Sequence, residues 1–174
     1  MSSLAVHSLA VNPLAVIWRA GGLLFSTNVG AVVEVLAPVR ANPAPAVPGW
    51  VRGLFVYRGT IIPLVDVAKL LGRTSGEDRM TNRVLVVRSG RRDGTGGEVG
   101  DAGLVGLWVE SVLELDRPEY RAAGSHPGFS NEASRFLGAV AETRFGTVQD
   151  VRPEELFTAE QAELLWARVK AGAS

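Results

Sequence analysis

The chain has 174 residues, 47% hydrophobic and 21% charged, which suits one soluble domain or two small subdomains sharing a core. Eighteen Lys and Arg balance eighteen Asp and Glu, an even charge that argues against a nucleic-acid binder and against electrostatic attachment to an anionic membrane. Cysteine is absent, which excludes disulfides, thiolate metal sites and cysteine nucleophiles.

Residues 1–13 read as a loosely attached leader. They lack the basic start of a secretory signal, Asn12-Pro13 interrupts them, and no apolar run nears the ~20 residues that span a bilayer. The expectation is a soluble, cytoplasmic protein with no direct membrane insertion. From Leu14 the pattern becomes short β segments. Leu14–Trp18 and Leu23–Ser26 flank a glycine turn, and Val29–Leu36 follows as a Val-rich strand. Ala37–Pro48 holds four of the nine prolines and reads as an ordered loop, because proline fixes φ and removes a donor.

Val51–Arg58 and Thr60–Val65 form two strands joined at Arg58-Gly59. Asp66–Leu71 has helical spacing, with Asp66 as N-cap and Gly72 as the stop. Arg83–Arg88 is a further strand. The stretch Ser89–Gly103 contains six glycines and reads as a long hairpin loop. Leu104–Val109 is apolar on both faces apart from Gly106, which predicts burial on both sides.

Val112–Leu115 continues as strand, and Asp116–Ala133 reads as loop. Phe136–Thr143 and Phe145–Gln149 form a last hairpin around Arg144. Pro153 suits a short helical start. Thr158-Ala-Glu-Gln161 is a capping box, and Ala162, Leu165, Trp166 and Val169 give the closing helix one apolar face. About ten short strands point to an all-β sandwich or barrel, and the long loops to two packed small barrels. No sequence repeat is strong enough to indicate internal duplication.

Motifs for chemistry are few. His7 lies in the leader and His126 in a Gly/Pro loop, and no G-x-S-x-G elbow, P-loop or H-E-x-x-H pattern is present. Gly94-x-Gly96-x-x-x-Gly100 has a phosphate-loop look, but no helix follows to supply the N-terminal amides. Asp93, Glu98 and Asp101 do not match an EF-hand loop. The expectation is therefore no catalytic residue, no metal and no cofactor. More informative are charges within apolar strands. Glu34 shares a face with Val32 and Leu36, and Arg58 with Leu54 and Val56. A charge there is costly unless paired, so the simplest reading pairs Glu34 with Arg58 across neighbouring strands; the alternative is that each snorkels at a strand end.

Gly49–Gly72 resembles the signature of CheW-like chemotaxis coupling domains. The matching residues are Gly53, Arg58-Gly59, Ile62-Pro63-Leu64-Val65-Asp66 and Leu70-Leu71-Gly72. Val33-Glu34-Val35, the proline loop, Arg83–Val87 with Gly103–Glu110, and Phe136–Val151 extend the likeness to about Leu14–Phe157. The opening strand lacks the family's F-x-L-G, Glu110 stands where aspartate is usual, and the 89–103 loop is long. The wording around Trp50 and Phe55 is closer to coupling proteins of alternative chemosensory systems, such as those controlling surface behaviour.

The resemblance implies two five-stranded SH3-like barrels over a shared core in residues 14–157, with a C-terminal helix over 158–174. It also implies a non-enzymatic adaptor between the cytoplasmic tip of a chemoreceptor (a methyl-accepting chemotaxis protein) and the regulatory domain of the histidine kinase CheA. No kinase, phosphotransfer-histidine or receiver segment is seen, as in a stand-alone coupling protein. By residue match, Glu34, Gly53, Arg58 and Gly59 are the expected receptor or kinase interface. Two other readings stay open. One is an SH3-like interaction module with an unrelated partner. The other is a small hydrolase or ligand-binding barrel using His126 and the glycine-rich loop.

Overall fold

The computed structural model describes residues 12–89, 103–121 and 135–172. Strands β1 (Ala15–Ala20) and β2 (Leu23–Asn28) form the first hairpin, turning at Gly21-Gly22. The expected strand from Val29 begins only at Val32. Asn28 accepts a hydrogen bond from the Gly30 amide at 2.8 Å, which winds Val29–Ala31 into a 3-10 turn before β3 (Val32–Leu36). β4 (Val51–Tyr57) and β5 (Thr60–Asp66) form the second hairpin, followed by helix α1 (Val67–Leu70). Asp66 caps α1 by accepting from the Lys69 amide at 3.2 Å.

β6 (Arg83–Arg88) and β7 (Leu104–Val109) pair antiparallel, and β8 (Ser111–Asp116) follows across Glu110. A short β9 (Glu119–Arg121) lies where the sequence pattern reads as loop; pairing with β10 (Leu137–Thr143) makes it a strand despite its polar residues. β11 (Gly146–Val151) leads into a 3-10 turn at Pro153–Glu155 and then helix α2 (Ala159–Gly172). The capping box is reciprocal: the Gln161 amide donates to Thr158 Oγ1 at 3.0 Å, and the Thr158 amide to Gln161 Oε1 at 2.9 Å.

Among the described residues the strands make two sheets, ordered β8-β1-β2-β11-β10-β9 and β3-β6-β7-β5-β4. With β9 set aside, the two orders are the same pattern. An edge strand pairs with an antiparallel hairpin, a parallel join follows (β2 with β11, β5 with β7), and a second antiparallel hairpin ends the sheet. The chain enters that pattern at a different strand in each sheet. The relationship is therefore a circular permutation, which a search for a linear repeat does not reveal. It also interlocks the sheets, since the first hairpin of the chain pairs with its last.

Three apolar clusters follow from the period-two alternation of strand side chains. Leu85 and Val87 on β6, and Val105, Leu107 and Val109 on β7, join Val16, Trp18 and Phe25 in a core shared by the two sheets. The alternate residues Val84, Val86 and Trp108 fill the inside of the second sheet with Phe55, Tyr57, Ile62 and Leu64. Ile17, Ala141 and Val148 fill the inside of the first. Leu104–Val109 is apolar on both faces because it separates one interior from the other. α2 docks on the shared core through Trp166, with Ala162 and Val169 packed beside it, and burying such a large side chain contributes about 1.5–3 kcal/mol. Trp50 stacks on Phe157, with ring centroids 5.5 Å apart, and packs against the shared core.

Candidate interaction site

The Arg58-Gly59 turn begins the site. Tyr57 and Thr60 are the last paired residues of β4 and β5, so only two residues make the turn, and both take positive φ, +47° and +83°. That geometry matches the right-handed twist of the strands, but it is normally made with Asn-Gly or Gly-Gly. Arg58 adopts it at a cost of about 1 kcal/mol. What it gains is a contact. Arg58 Nη2 donates to Glu34 Oε2 at 2.8 Å, and Tyr57 Oη donates to the same oxygen at 2.6 Å. The guanidinium also lies 5.2 Å from the centre of the Tyr57 ring.

Glu34 and Arg58 thus pair, as their shared apolar setting suggests, but not across neighbouring strands. β3 and β4 are the opposite edges of the second sheet. The Glu34–Tyr57–Arg58 group is a clasp across the seam where this sheet curls into a barrel. Arg58 remains 70% exposed and Glu34 35%, so the ion pair itself contributes only ~0–1 kcal/mol. The Tyr57 phenol is held above its usual pKa, first by donating to Glu34 and then by burial.

Gly53 works on the same seam from inside. It is buried, at φ +145°, where β4 shifts register, and a Cβ there would run into the Asn42 carbonyl. The close approach lets Asn42, from the proline segment, pair with Leu54 by backbone bonds of 2.7 and 2.8 Å. Of the four expected interface residues, Glu34, Arg58 and Gly59 meet at one partly solvent-facing corner. Gly53 lies five residues back along β4, about 16 Å from Arg58, and shapes the barrel wall.

Sequence reasoning missed three features. Tyr57 is the neutral donor of the clasp; its only signal is a polar tip on a strand-end aromatic beside Arg58. Arg52 is the hub of a second group. Its guanidinium donates to both carboxylate oxygens of Asp78 at 2.9 and 2.7 Å, reaches Asp66 Oδ2 at 3.5 Å, and lies 4.2 Å over the Trp108 ring. Ser75 donates to the same Asp66 oxygen, so buried Asp66 is an anchor for residues 72–82 as well as a helix cap. Third, Glu114 on β8 pairs with Arg144 in the β10–β11 turn. By the permuted topology β8 corresponds to β3, and that turn to the Arg58-Gly59 turn. The first sheet therefore carries its own seam clasp, and Val112-Leu113-Glu114-Leu115 repeats the pattern of Val32-Val33-Glu34-Val35.

Asp150, near the end of β11, is half-buried, and burial pushes its carboxyl up to about 6 against the opposing pull of Arg152. Among the described residues no three or more His, Asp or Glu side chains are grouped to hold a metal. His7, His126, Asp93, Glu98, Asp101 and the Gly94–Gly100 stretch lie outside the described residues. No helix among the described residues is long and apolar enough to cross a membrane.

This arrangement can be set beside known proteins. Residues 15–161 match the family model for the CheW-like domain. The chain belongs to the CheW-like family. It is 24% identical over 164 residues to Chemotaxis protein CheW of Rhizobium meliloti, covering 94% of this chain and 99% of that protein. It is 39% identical over 70 residues to Protein PilI of Pseudomonas aeruginosa, covering 40% of this chain and 39% of that one. Among solved structures, the scaffolding protein TtCheW of Thermoanaerobacter tengcongensis superposes with a TM-score of 0.70 at 20% identity, over 86% of this chain and 95% of that one. The CheW-like fold of two SH3-like barrels is thus the one described above, with the first sheet extended to six strands by β9.

Proposed function

We propose that this CheW-like chain is a non-enzymatic, cytoplasmic adaptor that links the cytoplasmic tip of a chemoreceptor to the regulatory domain of the histidine kinase CheA. The Glu34–Arg58–Gly59 corner is the proposed contact face, and Gly53 holds the wall behind it. The observation that carries the reading is the clasp. A carboxylate and a guanidinium are held across a barrel seam in a conformation that costs backbone strain, yet the ion pair is too exposed to contribute much stability. An arrangement of that kind serves to position charge for a partner. Membership of a family with relatives named as chemotaxis proteins supports the same reading. Two faces on one rigid scaffold, each weak alone, give strong binding when linked in an array.

The experiment is a pull-down of purified receptor tip and CheA with the full chain at tens of micromolar. Retention of both by the wild type, and loss of at least one in Arg58→Glu with the fold intact, is the expected result. Retention of neither defeats the adaptor reading and favours an SH3-like module with an unrelated partner.

A further inference from the structure

The sixth strand of the first sheet is held by one side chain. β9 has three residues, pairs only with β10, and leaves Glu119 and Arg121 exposed. Tyr120 alternates to the inner face and packs against Ile17, Ala141 and Val148 inside the barrel. Its phenol donates to Ser26 Oγ at 2.9 Å, and Ser26 is fully buried on β2. One tyrosine thus ties the edge of the sheet to a strand three places away.

Asp150 sits at the foot of that tie. It is the register partner of Ser26 in the parallel β2–β11 join, which has only two residue pairs. A Cβ at Gly138 would come within 2.6 Å of Asp150 Oδ2, so the β10 backbone walls off one side of the carboxyl. The charged and titratable groups about it are Arg152 beyond it on the same chain, Glu154 in the 3-10 turn, Tyr120 on β9 and, past Tyr120, Asp116 on β8. Ser26 on β2 and Gly138 on β10 bring no charge. Burial outweighs Arg152 and raises the carboxyl to about 6.

We propose that β9 is a pH-dependent latch on the first barrel, closed by Tyr120 on Ser26 and released when a negative charge forms on Asp150. A carboxylate in that half-buried place calls for water. β9 is the shortest strand of the sheet, and lifting it with Tyr120 opens the way in. Release makes β10 the sheet edge and loosens the β10–β11 hairpin, whose turn carries Arg144 of the Glu114 clasp. The folded carboxyl lies above its open-state value, so protonation keeps the latch shut. The opening constant rises about tenfold per pH unit between 3.8 and about 6, then levels off. This does not rest on the adaptor reading, which concerns the second barrel.

The test is amide hydrogen exchange of the full chain from pH 4.5 to 7.5, corrected for intrinsic rates, with and without sub-denaturing urea. The expected result is that β9 and β10 amides lose at least tenfold in protection between pH 4.5 and 6.5. Their exchange should be insensitive to urea, as for a local opening, whereas that of β6 and β7 should rise with urea. Asp150→Asn should remove the pH dependence, and Tyr120→Phe should lower β9 protection at every pH. The carboxyl carbon of Asp150, followed by NMR in the wild type, should titrate near 6 whether or not the variants fold. A midpoint in the ordinary carboxylate range overturns the latch. So does a urea dependence of β9 and β10 equal to that of β6 and β7, or an unchanged pH dependence in Asp150→Asn.

Discussion

Glu34 and Arg58 are 24 positions apart, lie at opposite edges of one sheet, and are joined at 2.8 Å through a single carboxylate oxygen that also accepts from Tyr57. The oxygen is the point where the sheet's two edge strands, β3 and β4, are joined. A buried phenol beneath and an exposed guanidinium above give the clasp one half inside the barrel and one half facing solvent.

That division predicts the behaviour of Arg58 variants. Arg58→Gly removes the ion pair but also the left-handed strain, each worth about 1 kcal/mol or less, so stability should change little. Arg58→Glu should cost about 1 kcal/mol, from repulsion with Glu34. Both should weaken binding to the receptor tip or CheA. Chemical denaturation alongside the pull-down checks this; a loss of several kcal/mol would make Arg58 a structural residue.

Gly53 should behave in the opposite way. A Cβ at φ +145° is strained and meets the Asn42 carbonyl, which is backbone and cannot swing aside. Gly53→Ala should destabilise by about 2–4 kcal/mol, and any loss of partner binding should track unfolding. Urea denaturation of the purified variant is the measurement.

Asp66 holds three groups from a buried position: the α1 N-terminus, Ser75 and Arg52. Asp66→Ala leaves these donors unsatisfied beside Trp108 and should cost about 3 kcal/mol. Asp78→Ala removes only an exposed partner of Arg52 and should cost under about 1 kcal/mol. Hydrogen exchange across residues 72–82 should rise in the first variant far more than in the second.

Asp150 gives stability a pH dependence of a definite sign. Its carboxyl is raised from 3.8 to about 6 in the folded chain, so between those values the folded state holds the proton more tightly than the unfolded state. Its contribution is fully present below about pH 4 and is lost as pH rises through about 6. Thermal unfolding of wild type and Asp150→Asn from pH 4 to 7 should show the wild type losing ground relative to the variant. A constant difference across that range would refute it.

The pattern of residues along the chain was enough for the local elements and the family. Alternation in Leu104–Val109, the Asp66 cap, the Thr158–Gln161 box and the glycine turns act over a few residues, so neighbours in sequence decide them. The misreadings fall where the deciding contact is distant or competes locally. β9 exists through β10, and Val29–Ala31 leaves the strand through the Asn28 side chain. Glu34 and Arg58 could be suspected from their apolar surroundings, because a charge on such a face calls for a partner. That they join the two edges of a closed sheet, that Gly53 works from inside the wall, and that Glu114–Arg144 is the counterpart clasp were decided only in three dimensions. Sheet closure and circular permutation bring together residues that no spacing along the chain relates.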